Sequence, residues 1–157
     1  MTTENTLTLL NSIHYDLKVV KEYVYDKCDF DLTNLKQNLE SKEYGACSFV
    51  LNGKTIEQRI SKITPTKTGQ FVTIWKRNEK GITEPFSISD AYSFYIIATR
   101  TDINFGMFIF PKVVLQANGV LSDETKDGKR GFRVYPPWDL TTNKQAQKSQ
   151  QWQTKYF

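Results

Sequence analysis

Basic and aromatic side chains alternate in one short stretch of the sequence, between residues 59 and 77. The stretch contains no acidic residue, and its five cations are Arg59, Lys62, Lys67, Lys76 and Arg77. Unpaired cations at this density attract anions, and lysine and arginine hold phosphate groups well. Phe71 and Trp75 add aromatic side chains on one face of a predicted strand in the same stretch. The stretch therefore predicts the binding of an anionic partner, and of nucleic acid in particular.

A second basic stretch of the same character lies near the end of the sequence. Its candidate phosphate contacts and stacking aromatics are Lys129, Arg130, Arg133, Tyr135 and Trp138. Residues 54–77 and 129–157 each hold six basic side chains and one acidic side chain. Residues 1–53 hold five basic and eight acidic side chains, and residues 78–128 hold four and seven. If the two basic stretches meet in the fold, they form one positive surface of the kind that binds DNA or RNA. If they lie on opposite sides, their charge only keeps the protein in solution.

Two interpretations stay open for the strand predicted around Arg133. Arg133 and Tyr135 share one face of that strand, because side chains two residues apart point the same way. Either they bind a phosphate and stack a base, or Arg133 pairs with an acidic side chain such as Glu57 or Asp90. The tryptophans are each interpreted first as packed side chains rather than as stacking platforms.

Catalytic chemistry has weaker support than binding. A metal-dependent nuclease of the PD-(D/E)xK type needs two carboxylates and a lysine on a sheet strand. The acid-x-lysine spacing occurs on predicted helices or in a loop, at Asp16–Lys18, Glu40–Lys42, Glu124–Lys126 and Asp127–Lys129. Glu57 lies on a predicted strand, but Arg59 stands where the lysine is needed, and arginine is too basic to exchange protons. With one histidine, two isolated cysteines and no glycine-rich phosphate loop, we predict no catalytic residue, no metal site and no cofactor.

Hydrophobic periodicity predicts the elements that position these side chains. Leucine and valine spacing predicts helices over residues 5–26 and around Leu32, Leu35 and Leu39, and a polar helix is predicted over 143–157. Strands are predicted over 44–51, 55–63, 71–75, 91–99, 104–110 and 131–135, with turns at Asn52-Gly53 and between Pro65 and Gly69. A helix is predicted to begin at Pro111. The predicted fold class is α+β: one domain over residues 1–157, with a mostly antiparallel or mixed central sheet of five to six strands, N-terminal helices and a C-terminal helix.

Several blocks of the sequence, taken in order, resemble the MepB family. They are the blocks Arg59–Arg77, Pro85-Phe86, Phe105–Lys112, Gly128-Lys-Arg-Gly-Phe-Arg-Val-Tyr-Pro-Pro-Trp138 and Gln150-x-Trp152-Gln153. The resemblance covers nearly the whole chain from about residue 10. It implies a small bacterial cytoplasmic protein whose fold is loosely associated with nucleic-acid-binding and nuclease-like α/β proteins. It carries over no catalytic residue.

The remaining features of the sequence concern its cellular setting. No apolar run approaches the roughly eighteen residues that a membrane helix needs, and the first residues lack the basic and apolar regions of a signal peptide. We therefore expect a cytoplasmic protein without membrane association, with Cys28 and Cys47 reduced, and we assign no oligomeric state. The leading hypothesis is a protein that binds DNA or RNA through a basic, aromatic-interleaved sheet face. The alternatives are a metal-dependent or degenerate nuclease and a binding module for another anionic partner.

Overall fold

Strands dominate the structure, a computed structural model that describes residues 15–157. The strands in this range are β1 (Leu32–Gln37), β2 (Cys47–Leu51), β3 (Lys54–Ile60), β4 (Lys62–Ile63), β5 (Gln70–Thr73), β6 (Trp75–Arg77), β7 (Thr83–Pro85), β8 (Phe94–Arg100), β9 (Phe105–Pro111) and β10 (Gly131–Val134). The α-helices are α1 (Tyr15–Val20), α2 (Lys112–Ala117) and α3 (Lys144–Gln153). A π-helical turn (Lys21–Tyr25) and a 3₁₀ turn (Asp26–Cys28) continue α1, and further 3₁₀ turns span Lys42–Tyr44 and Thr154–Tyr156.

The central sheet has five strands in the order β1-β2-β3-β8-β9. Neighbouring strands run antiparallel except β3 and β8, which run parallel. The sheet is therefore mixed, and with a helix at each end of the described chain it confirms the predicted α+β class. The predicted Asn52-Gly53 hairpin is also confirmed, because both residues adopt the left-handed conformation, with φ of 47° and 78°, and join β2 to β3.

Each face of the central sheet packs against a different layer. On one face, β1, β2, β3 and β8 contribute to a core with the N-terminal helical segment, formed by Leu17, Val20, Tyr25, Leu32, Leu35, Cys47, Phe49, Ile56 and Ile96. On the other face, side chains of β8 and β9 pack against a second sheet and the connections around α2, with Val72, Phe86, Tyr95, Ile97, Phe108, Phe110, Leu115, Val120 and Val134 among the buried residues. Burial of these apolar side chains drives the layers together.

The second sheet is small and contains part of each basic stretch. Its order is β10-β5-β4, with both pairs antiparallel. Val72 and Val134 are fully buried against the central sheet, and Phe132 is nearly so. The structure therefore confirms the alternation that places Phe132 in the core, and it buries Val72 there as well, which leaves Phe71 and Arg133 on the outer face. A third, two-stranded sheet of β6 and β7 lies beside it.

The helix predicted around Leu32 and Leu35 is wrong, because this segment is the edge strand β1. The two leucines are both buried although they lie three residues apart, a spacing that is typical of a helix face. In β1 the same result comes from a β-bulge between Thr33 and Lys36, where Asn34 has a φ of 54°. A bulge inserts one residue and so returns Leu35 to the face that Leu32 occupies. Leu39, the third member of the predicted stripe, is 85% exposed.

The predicted helix over residues 5–26 lies partly outside the described residues, which begin at Tyr15. Leu17 and Val20 are buried as the periodicity predicts, but Val24 is 38% exposed and Tyr25 is buried in its place. The π-helical turn at Lys21–Tyr25 explains the shift, since it holds more residues per turn than an α-helix and rotates the buried face by one position. No helix in residues 15–157 is both long and apolar enough to cross a lipid bilayer.

Candidate functional site

One row of side chains crosses the outer face of the second sheet and joins the two basic stretches. In the strand register, Phe71 of β5 lies opposite Lys62 of β4 on one side and opposite Arg133 of β10 on the other. Residues paired across neighbouring strands project from the same face of a sheet. The fold therefore sets a cation on each side of a half-exposed aromatic ring.

Two tyrosines extend this row. Tyr44 packs edge-on against Phe71, with the ring centres 6.3 Å apart, and the ammonium group of Lys62 lies 4.5 Å from the centre of the Tyr44 ring. The ring of Tyr135 lies against Gly69, where a Cβ atom would come within 2.7 Å of it. We call the surface formed by Tyr44, Lys62, Phe71, Arg133 and Tyr135 the sheet face. Tyr44 and Phe71 were not predicted as site residues, although the alternation along the predicted strand separates Phe71 from Val72, which is buried.

The surroundings of Arg133 exclude one of its two interpretations, the ion pair with an acidic side chain. Its guanidinium donates to the carbonyl of Thr68 at 3.2 Å and to the hydroxyl of Thr64. It has no acidic partner among residues 15–157, so pairing with Glu57 or Asp90 does not occur. Neutral acceptors orient the guanidinium and leave its positive charge uncompensated.

The C-terminal helix fixes the edge of the sheet face through Gln153. The buried amide of Gln153 donates to the carbonyl of Arg133 at 2.9 Å and accepts from the backbone N–H of Tyr135 at 2.8 Å. Both backbone groups lie on the outer edge of β10, where the strand has no neighbour in the sheet order. Gln153 was not predicted as a site residue, although it ends the block Gln150-x-Trp152-Gln153 that resembles the MepB family.

Four other predicted site residues, one from the first basic stretch and three from the second, lie around this face or away from it. Lys67, in the β4–β5 turn, and Lys129, before β10, are exposed. Arg130 donates to the carbonyl of Thr83 at 2.9 Å, which ties β10 to β7. Trp138 packs edge-on against the ring of Phe157, with centres 5.5 Å apart, so its contacts are with the C-terminal segment.

Three predicted site residues of the first stretch have acidic partners instead. Lys76 pairs with Asp90 at 2.5 Å and approaches Glu84 at 3.6 Å. Arg77 pairs with Glu40 at 2.6 Å, and its guanidinium lies 5.5 Å from the centre of the Trp75 ring. Arg59 is 1% exposed and pairs with Glu57. These cations border a different region of the molecule.

That region is a cleft of about 790 Å³ beside the second sheet. Its floor is the part of the central sheet formed by β1, β2 and β3, and its far wall is β6 with the segment around residues 86–92. On this face of the central sheet, the side chains are charged on β3 and apolar or aromatic on β8, because Glu57 lies opposite Tyr95 and Arg59 lies opposite Ile97. The second sheet thus covers the apolar half of this face, and the cleft lies over the polar half.

Arg59 lines the cleft, and the buried carboxylate of Glu57 pairs with it beneath the cleft surface. Glu57 also accepts from the Asn38 amide at 2.6 Å, and the Arg59 guanidinium donates to the carbonyl of Gln58 at 3.0 Å. One oxygen of Glu57 (Oε2) and the Nε–H of Arg59 are buried without a hydrogen-bond partner among the described residues. Burial raises the pKa of the Glu57 carboxyl, and Arg59, Tyr92 and Asn38 oppose that shift.

Comparison with known proteins assigns the chain to a family. The model of the MepB-like family matches residues 38–157, which is most of the chain. The chain belongs to the MepB-like family. Among solved structures, the crystal structure of MepB matches with a TM-score of 0.79 at 32% sequence identity, over 91% of this chain and 95% of that chain. No curated protein matches. The region matched by the MepB-like model contains the whole sheet face and the Glu57–Arg59 pair, whereas α1 and β1 precede it.

Proposed function

We propose that this MepB-like protein binds nucleic acid, DNA or RNA, through the sheet face. The observation that carries the proposal is the row Lys62–Phe71–Arg133, in which two cations without acidic partners among the described residues flank an aromatic ring. Phosphates and bases alternate along a nucleic-acid strand, and a surface that alternates cations with aromatic rings complements that pattern. The proposal includes a cytoplasmic location, since nucleic acids are found there.

The aromatic components favour unpaired bases as the stacking partners. Tyr44, Phe71 and Tyr135 can stack only on bases that are not already stacked within a duplex. The cations would contribute through the release of counterions from phosphates, which depends on salt but not on sequence. We therefore expect stronger binding to single strands than to duplexes.

Glu57 and Arg59 support binding without cleavage over the nuclease alternative. In the PD-(D/E)xK mechanism a strand carries a carboxylate for the metal and a lysine for the attacking water. On β3 the carboxylate of Glu57 is instead engaged by Arg59 and Asn38. Plasmid cleavage that depends on magnesium or manganese, and that Glu57→Ala abolishes, would reverse this preference.

The test of the proposal is a fluorescence-anisotropy titration of labelled single strands at several salt concentrations. Each phosphate contact on a single strand adds roughly 0.7 to the slope of log affinity against log salt. We expect Arg133→Gln and Lys62→Gln each to lower that slope by about this amount and to weaken binding. Lys27→Gln is the matched control, because Lys27 is an exposed lysine on the N-terminal helical segment, which packs on the opposite face of the central sheet. Equal effects of all three substitutions, or no binding at low salt, would refute the proposal.

A further inference from the structure

The cleft has the features of a second binding site, separate from the sheet face. It is lined by polar and charged side chains where the rest of the same sheet surface is apolar, and its volume lies in the range of small-molecule sites, about 300–1,000 Å³. Burying the Glu57–Arg59 pair at its floor costs desolvation free energy that a pair of apolar side chains would not cost. A polar floor of this kind is a marker of function more than of stability.

The floor offers a hydrogen-bond donor that the described residues leave unused. Arg59 lines the cleft, is 1% exposed and has no partner for its Nε–H within residues 15–157. An unpaired buried donor is unfavourable, and an oxygen of a ligand would satisfy it. Ser48, on the neighbouring strand β2, also lines the cleft and places a hydroxyl in the same row as Glu57.

The entrance of the cleft is positively charged. Lys36 belongs to the same row as Ser48, is exposed, and has no acidic partner within 4 Å in the described part of the chain. Lys76 and Arg77 line the opposite side, where Asp90 and Glu40 compensate their charges. Lys36 is thus the cation at this entrance that is available to an incoming anion.

Aromatic rings complete the lining on the wall that faces the central sheet. Trp75 and Tyr92 are half-buried there, and Phe86 lies beneath the Arg59 guanidinium, 5.6 Å from its carbon atom. A bare inorganic anion would leave these rings and most of the volume unused. A ligand that combines a flat ring with an anionic group would fill both parts of the lining.

We propose that the cleft binds one phosphorylated nucleoside, with the base against the aromatic wall and the phosphate at Lys36, Ser48 and the Nε–H of Arg59. The same chemistry is present in a free nucleoside monophosphate and in the 5′-phosphorylated end of a strand. Binding at the cleft does not require the sheet face, because the two regions use different cations and different rings.

The experiment is a calorimetric titration of the full chain with adenosine 5′-monophosphate, uridine 5′-monophosphate, adenosine and inorganic phosphate. We expect the monophosphates to bind more tightly than adenosine or phosphate alone. Lys36→Gln should weaken monophosphate binding roughly three- to tenfold, the effect of losing one partly exposed charge-assisted contact. Ser48→Ala should weaken it as well, whereas Lys27→Gln and Arg133→Gln should leave it unchanged. Both Lys36 and Lys27 are exposed, so these variants should fold like the wild type.

Two results would overturn the proposal: no binding of either monophosphate at millimolar concentration, or equal effects of Lys36→Gln and Lys27→Gln. Oligonucleotides with and without a 5′-phosphate distinguish the two sources of the ligand. If the strand end is the ligand, the 5′-phosphate strengthens binding in the wild type and the advantage is lost in Lys36→Gln. If the free monophosphate is the ligand, the 5′-phosphate has no effect while the calorimetric signal remains. If the sheet face binds no nucleic-acid strand but the cleft binds monophosphates, the proposed function is refuted and the proposal for the cleft stands.

Discussion

The sheet face and the cleft hold cations from the same basic stretch of sequence in opposite electrostatic surroundings. On the sheet face, Lys62 lies against an aromatic ring, and Arg133, which comes from the second stretch, is held by neutral oxygens. At the cleft, Lys76 and Arg77 each have a carboxylate within 2.6 Å, and Arg59 is buried with Glu57. Asp90 and Glu40 come from other parts of the chain, whereas Glu57 lies on the same strand as Arg59, β3.

The difference shows that charge along a sequence and charge available at a surface are separate properties. A cation that already has a carboxylate must give it up before it can hold a phosphate, so its contribution to binding is small. A cation oriented by carbonyl and hydroxyl groups keeps its full charge for a partner.

Removing one member of the buried pair should have the largest effect on stability. Glu57→Leu leaves the Arg59 guanidinium buried without its carboxylate and should cost about 3–5 kcal/mol in the free energy of unfolding. The double variant Glu57→Leu, Arg59→Met should recover most of that loss, since it removes both charges. Urea denaturation followed by circular dichroism measures both values. A double variant as unstable as the single one would mean that the two residues do not act as a pair.

Truncating the tyrosine of the sheet face should have the largest effect on binding. Tyr135→Ala should weaken single-strand binding by about 1–3 kcal/mol, the contribution of one stacked base, and Tyr135→Phe should change it little. Anisotropy titration gives the affinities, and a circular dichroism spectrum checks that each variant is folded. A loss of equal size in Tyr135→Phe would assign the effect to the hydroxyl and not to stacking.

A substitution at Gly69 tests whether the position of the Tyr135 ring depends on the absence of a side chain in the turn beside it. Gly69→Ala adds a methyl group within 2.7 Å of that ring, at a φ of 81°, and should destabilise the fold by about 1–3 kcal/mol. Gly81→Ala is the matched control, because Gly81 has a similar φ of 77° but no atom within 4 Å of the added carbon. The difference between their unfolding free energies measures the contacts of the added methyl group with the Tyr135 ring and, at 3.0 Å, the Val134 carbonyl oxygen, and equal values would show that these contacts contribute nothing.

The paired cations should contribute little to the salt dependence of binding. Lys76→Gln should change the slope of log affinity against log salt by much less than the roughly 0.7 expected for Arg133→Gln. The same anisotropy series measures both. If Lys76→Gln lowered the slope as much as Arg133→Gln, the carboxylate partners would not suppress phosphate contacts and the comparison would fail.

The reactivity of the two cysteine thiols reports on whether the central sheet opens near Cys47. Burial, and next the charge of Glu57, raises the pKa of the Cys47 thiol to about 12, so at pH 8 this group stays protonated. The thiolate is the reactive form, and Cys28 is exposed. A thiol reagent at pH 8 should therefore modify Cys28 at once and Cys47 only when the protein unfolds, as mass spectrometry of the labelled protein would show. Rapid labelling of Cys47 in the native protein would indicate that β2 and β3 open locally.

The sequence predicts much of this fold because strand alternation and turn signals are local. The burial of Phe132 and the hairpin at Asn52-Gly53 depend on neighbours within a few residues. The prediction of a helix at Leu32 is wrong because it also used only local spacing, and a bulge at Asn34 gives a strand the leucine spacing of a helix.

The candidate site was predictable only in part. The sequence identified Lys62, Arg133 and Tyr135, but it did not show that Glu40 and Asp90 would neutralise Arg77 and Lys76. Those ion pairs join residues that lie 37 and 14 positions apart. Contacts of that kind are set by the packing of the layers, and no local pattern encodes them.

The amide of Gln153 has one further consequence, for how the protein behaves at high concentration. Its two hydrogen bonds occupy two of the backbone groups on the free edge of β10 that a strand from another molecule would use. Unprotected edge strands promote pairing between molecules. The side chain of Gln153 thus blocks part of this edge in addition to shaping the sheet face.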